Sequence, residues 1–312
     1  MNNQILITSY KNPDLDGTAC AFAYAELLNK QNRDAVAVIL GNPHREAQFV
    51  LDKYSIGINK IESLNEVYKG IILVDASDLE ALPSSTKPEQ VIEIIDHRKL
   101  NDSENFLNAK VQIELVGACA TLIAERFQQN NITIPKESAI LLYSAIVSNT
   151  VNFQNNVTTS RDKDMAIWLT KQIELPPNFI HEMFIYKSNF TKPLKDTIIE
   201  DFKAFQIHDK TVGIAQLEII NANDYIKNNL SEIKNILLEI KQQQTLDYTF
   251  LNCIDLEGQG NTFVALNEDD EKLLKKVLNV KFDNSIANGD HIMMRKEIVP
   301  LIKEVIAAGN LN

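Results

Sequence analysis

Gln4-Ile5-Leu6-Ile7-Thr8-Ser9-Tyr10-Lys11-Asn12-Pro13-Asp14-Leu15-Asp16-Gly17 decides the reading of the fold. A short β-prone run ends in a polar turn carrying two aspartates. Gly17–Lys30 follows with apolar residues at Ala19, Phe22, Ala23, Leu27 and Leu28, which is helical spacing. The unit then repeats. Asp34–Leu40 holds Ala-Val-Ala-Val-Ile-Leu, a continuous apolar run suited to a strand buried on both faces, and Arg45–Tyr54 reads as a helix. Gly70–Val74 and Val91–Ile95 are two further strands, each followed by an aspartate. Strand and helix alternation of this kind predicts an α/β fold: a mainly parallel sheet with helices on both faces. From Gly117 to Thr170 the pattern becomes mostly helical.

Lys187-Ser188-Asn189-Phe190-Thr191-Lys192-Pro193 breaks that pattern and is the best linker candidate. The expected organisation is a first domain over 1–187, a linker over 188–194 and a second domain over 195–312. In the second, Phe202–His208, Val212–Leu217, Tyr248–Ile254 and Thr262–Leu266 read as strands. Ile219–Gln244 reads as one or two helices, with more at Asp269–Val280 and Arg295–Ala308. This predicts a smaller, mixed α/β unit.

Composition narrows the function. The 312 residues carry 31 basic and 42 acidic side chains, a formal charge of −11. That balance disfavours a broad nucleic-acid surface, yet it leaves room for a small anionic ligand held by a local basic cluster. Met1–Ile7 lacks the pattern of a secretory signal, and no stretch approaches the ~18 apolar residues of a membrane span. Cys20, Cys119 and Cys253 are few and widely spaced, which predicts reduced thiols in a cytoplasmic protein and no zinc site.

In a parallel α/β sheet, ligands collect at the carboxyl ends of the strands. Three strand ends here carry acids: Asp14 and Asp16 after the first, Asp75 after Val74, and Asp96-His97-Arg98 after Ile95. Any one alone is as good a helix cap or turn former. Together they offer hard oxygen donors and one imidazole, a set suited to Mg²⁺ or Mn²⁺.

Asn12-Pro13-Asp14-x-Asp16, Val74-Asp75, Asp96-His97 and Val116-Gly117 follow, in order and at similar spacing, the DHH phosphoesterase superfamily. The chain resembles most closely the manganese-dependent (family II) inorganic pyrophosphatases. The second domain resembles the family's DHHA2 domain, with Asp201-Phe202-Lys203 matching Asp-x-Lys and Arg295-Lys296-Glu297 matching a C-terminal basic motif. The resemblance implies a cytoplasmic, homodimeric phosphohydrolase. It would act on pyrophosphate or a related small phosphoanhydride, with Asp14, Asp16, Asp75, His97 and Asn149 as metal ligands. Lys203, Arg295 and Lys296 would bind the phosphates and Lys203 would serve catalysis; Arg98, where the sequence departs from the family, is the further candidate for substrate binding and catalysis.

The sequence departs from that pattern in the first domain. The family's opening histidine is Tyr10, the second histidine of Asp-His-His is Arg98, and the acid of Ser-Asp-Thr is Asn149. One well-formed metal site and one crippled site are therefore expected, with preference shifted from Mn²⁺ toward Mg²⁺. A guanidinium at position 98 would grip phosphate oxygens as a fork and offset some of the missing metal charge. Two alternatives stand beside hydrolysis of pyrophosphate. One is a degenerate member binding a phosphate-bearing ligand or nucleotide without efficient turnover. The other is an exopolyphosphatase or phosphodiesterase of the same superfamily.

Overall fold

A computed structural model describes residues 3–64, 67–82, 86–98 and 101–309. The chain divides into two compact units, one of residues 1–153 and 157–186, the other of 154–156 and 187–312.

The first unit is built on six parallel strands: β1 (Ile5–Thr8), β2 (Ala35–Leu40), β3 (Asn59–Ile61), β4 (Gly70–Val74), β5 (Val91–Asp96) and β6 (Lys110–Ile113). Their order is β3-β2-β1-β4-β5-β6. The chain thus winds outward from β1 in one direction and, after β4, in the other. Such a reversal opens a crevice at the carboxyl ends of the two central strands. The register sets Ile7 beside Ile72 and Leu73 beside Ile94, so the ends of β1, β4 and β5 lie side by side.

Helices α1 (Leu15–Lys30) and α3 (Cys119–Gln129) contact the sheet, with α2 (Arg45–Lys53), α4 (Lys136–Asn149) and α5 (Ser160–Thr170) in the helical layer beside them. Helix α1 touches strands as well as α4, so it is buried nearly all round, and its alanines at 19, 21, 23 and 25 let its neighbours approach. The opposite face of the sheet is closed by Leu64, Ala76, Ala81 and Phe106 packed on Leu6, Val38, Leu73 and Ile94. Two close approaches need glycine. A Cβ on Gly17 would stand 2.5 Å from Ser9 Oγ, and one on Gly117 would stand 2.6 Å from Thr150 Cγ2.

After α6 (Phe179–Ser188), the second unit holds α7 (Leu194–Glu200), β7 (Phe202–Ile207), β8 (Lys210–Ile219), α8 (Ala222–Gln244), β9 (Tyr248–Asp255), β10 (Asn261–Ala265), α9 (Glu268–Leu278), β11 (Phe282–Asp283), β12 (Ile286–Asn288) and α10 (Arg295–Ala307). Its sheet runs β11-β12-β10-β9-β8-β7, and only β8 and β9 pair in parallel. Apolar residues of α8 pack with Ala215, Leu217 and Leu251 in one core; α9 and α10 pack with Ile214, Phe250 and Phe263 in another.

Several elements differ from their expected limits. Ile219 closes β8 rather than opening a helix, and α8 is one unbroken helix. Lys187 and Ser188 end α6, so the connection to α7 spans 189–193. Strands β3 and β6 are exposed and short, with too few residues to show a period of two.

Candidate metal centre

The turn after β1 bends because Asn12 takes a positive φ of 54° and its side-chain oxygen accepts from the Asn42 amide at 3.0 Å. Asp14 then caps α1, accepting from the Gly17 amide at 3.0 Å. This leaves Asp16, in the first turn of α1, pointing into the interior, where it is fully buried. Asp75 follows β4 with a φ of 50°, uncommon for a residue with a side chain, and its amide donates to the Ile95 carbonyl at 2.9 Å. His97 follows β5.

The carboxylates of Asp16 and Asp75 and the imidazole of His97 offer ligand atoms that all lie within 4.8 Å of one another. Nε2 of His97 stands 3.4 Å from Asp75 Oδ1 and 3.8 Å from Asp16 Oδ2. Its Nδ1 lies 2.9 Å from the Val116 carbonyl. That carbonyl can only accept, so Nδ1 carries a proton and Nε2 is the nitrogen that faces the two acids. This is the arrangement that orients a ligating histidine. The donor set fits a hard divalent cation.

Asp16 is held from a second direction. The Cys119 amide donates to its Oδ2 at 2.7 Å and the Ala120 amide to its Oδ1 at 2.8 Å, which places the carboxylate at the amino end of α3. The Asn149 side-chain amide donates to Oδ2 at 2.7 Å. Burial raises the Asp16 pKa to about 8, with the negative charge of Asp75 adding to the rise and His97 and the Ala120 amide opposing it. A cation would remove that penalty.

Arg98 lies beside this group. Nη1 donates to Asp78 Oδ2 at 3.2 Å, Nη2 donates to the Asp75 carbonyl and stands 4.0 Å from Asp75 Oδ1, and Nε is 3.6 Å from Asp96 Oδ1. The guanidinium carbon sits 5.5 Å from the centre of the Tyr10 ring. Burial opposes the charge, but Asp75 and Asp96 more than offset that and raise the Arg98 pKa. Tyr10 is a neutral phenol: burial, then Asp14 and Asp75, push its pKa well above the ordinary value. Its hydroxyl accepts from the Asp14 amide at 3.1 Å.

In the second unit, Lys203 on β7 and Lys296 on α10 are exposed. Arg295 turns inward: Nη1 donates to the Asp201 carbonyl at 2.6 Å and Nη2 to Asp201 Oδ1 at 2.5 Å. The first unit thus gathers Asp16, Asp75 and His97, with Asp14 at the head of α1 and Asn149 as a hydrogen-bond donor to Asp16. Sequence reasoning missed Asp162. This buried carboxylate accepts from the Gly117 amide at 2.9 Å, the Thr121 hydroxyl at 2.6 Å and the Thr159 amide at 2.7 Å, fixing the loop that leads into α3. The Thr159-Ser160-Arg161-Asp162 spacing of a capping box was its available signal.

Residues 4–146 match the DHH family N-terminal domain, and residues 181–305 match the DHHA2 domain. A protein of Clostridium acetobutylicum named "Probable manganese-dependent inorganic pyrophosphatase" is 28% identical over 98% of this chain and 99% of its own length. A protein of the same name from Bacillus cereus is also 28% identical, over 98% of this chain and 99% of its own. Among solved structures, a Methanococcus jannaschii protein described as a "putative family II inorganic pyrophosphatase" superposes with a TM-score of 0.76. It is 28% identical and matches 96% of this chain and 99% of its own. This chain joins a DHH-family N-terminal domain to a DHHA2 domain, and it is similar along nearly its whole length to the manganese-dependent inorganic pyrophosphatases.

Proposed function

We propose that this protein is a cytoplasmic, metal-dependent phosphohydrolase that cleaves pyrophosphate or a related small phosphoanhydride. The observation that carries the reading is the convergence of Asp16, Asp75 and His97 at the ends of adjacent parallel strands. Asp16, Asp75 and His97 would hold Mn²⁺ or Mg²⁺, with Asp14 and Asn149 at its margin. A divalent cation there supplies Lewis-acid polarisation of a phosphoryl oxygen and a more acidic water.

The chain's own groups do the rest. His97, fixed by the Val116 carbonyl, keeps its basic nitrogen toward the acids. The amides of Cys119 and Ala120 hold the Asp16 carboxylate in place. Arg98 sets a permanent positive charge beside Asp75, where it would stabilise negative charge on a phosphate bound at the metal. Lys203 and Lys296, exposed on the second unit, are that unit's candidate phosphate-binding groups.

Phosphate release from pyrophosphate, polyphosphate and a short oligonucleotide, with Mg²⁺ and then Mn²⁺, tests the reading. Turnover of pyrophosphate that chelation abolishes is expected. Absence of turnover with all three substrates and both metals overturns it. One observation favours binding without turnover: the Arg295 fork is committed to Asp201, which leaves lysines as the cations of the basic motif. Saturable binding of pyrophosphate without phosphate release would select that alternative.

A further inference from the structure

Acidic groups flank Asp75 on two sides, and the two sides differ. On one side stand Asp16 and Nε2 of His97. On the other stand Asp78, 38% exposed, and Asp96, fully buried. Two cation positions would follow from acids alone. The first adds the His97 imidazole, and its three ligand atoms lie within 4.8 Å of one another. The second already contains a cation, the Arg98 guanidinium, with each of its nitrogens directed at oxygen of Asp75, Asp78 or Asp96. Its floor is the Tyr10 ring, whose hydroxyl is turned to the Asp14 amide.

We infer that Arg98, stacked on Tyr10, is a built-in cation filling the Asp75–Asp78–Asp96 side of the centre, so that the protein takes a single divalent ion. A guanidinium cannot be deprotonated at ordinary pH, and its planar fork meets two or three oxygens at once, as these distances require. A metal ion at the same place would meet the positive charge of Arg98 within a few ångströms. The neutral phenol of Tyr10 would be its poorest donor. The inference rests on the reading of Asp16, Asp75 and His97 as metal ligands, but not on turnover.

The test is metal stoichiometry in the intact chain, by calorimetric titration with Mn²⁺ and by electron paramagnetic resonance of the loaded protein. The parent should bind one Mn²⁺ with the spectrum of an isolated ion. Arg98→Ala should admit a second, and two Mn²⁺ about 4 Å apart give a spin-coupled spectrum. Arg98→Lys, which keeps the charge, should remain at one. Should Arg98→Ala fail to fold, Arg98→Gln takes its place. Two ions in the parent, or one ion in a folded Arg98→Ala or Arg98→Gln chain, overturns the inference. Pyrophosphate turnover with two ions bound would leave the proposed activity standing and remove this inference. One ion without turnover would do the reverse.

Discussion

His97 turns one ring nitrogen to the Val116 carbonyl at 2.9 Å and the other to the Asp75 carboxylate at 3.4 Å, so a backbone group fixes which nitrogen is basic. His97→Ala should therefore weaken Mn²⁺ binding by more than the ~10–100-fold typical of losing a mere supporting partner of a ligand. His97→Gln should recover little, because an amide oxygen lacks the imidazole's basicity. Calorimetric titration of the folded variants checks both.

The pH dependence of the chelated protein has a defined sign. Burial raises Asp16 to about 8 in the folded chain, against about 4 unfolded, so the folded state binds the proton more tightly. Its stabilising contribution is complete below pH ~4 and is lost as pH rises toward 8. Chemical denaturation in chelator should show stability falling over that window, by up to about 1.4 kcal/mol per pH unit. Asp16→Asn should flatten the slope, and saturating Mn²⁺, which needs the ionised carboxylate, should abolish or reverse it.

Asn149 donates its amide to Asp16 at 2.7 Å. Asn149→Asp replaces a donor by a second negative charge at the same contact. Without metal the variant should melt below the parent, since like carboxylates repel in a buried site. With Mn²⁺ the order should invert, and affinity should rise about tenfold, because ligand charge sets the affinity of a hard-cation site. Paired melting curves in chelator and in Mn²⁺ report both effects.

Asp162 gathers amide and hydroxyl donors from Gly117, Thr121 and Thr159. Asp162→Ala leaves these buried groups unpaired at about 1–3 kcal/mol each. A loss of at least ~3 kcal/mol in unfolding free energy is expected. Because the same loop leads to the amides holding Asp16, metal affinity should fall as well.

Neighbours in the basic motif should separate by readout. Lys296 is exposed, whereas Arg295 ties the start of α10 to Asp201 at the head of β7. Arg295→Ala should lower the melting temperature by breaking a part-buried charged hydrogen bond, worth about 1.5–3 kcal/mol. Lys296→Ala should leave melting unchanged and slow phosphate release.

The sequence made the frame legible because its signals are local. Continuous apolar runs such as Ala35–Leu40 mark strands buried in a parallel sheet, and acids after them mark strand ends. What stayed hidden depends on contacts between distant segments. Nothing near Arg98 in the chain shows that Asp75 and Asp78 will accept its donors, about twenty residues away. Likewise nothing near Asn149 shows that its amide will meet Asp16 across 133 residues. The inward turn of Arg295 depends on Asp201, 94 residues earlier. Short exposed strands such as β3 carry no period to read.

The grip of the α3 amides on Asp16 has a kinetic consequence. A carboxylate already fastened to two backbone groups is aimed before any ion arrives. Loading then asks for no refolding of the loop and little reorientation of the ligand. The slow event becomes the ion shedding its own water, and Mg²⁺, which dehydrates reluctantly, should enter this centre far more slowly than Mn²⁺.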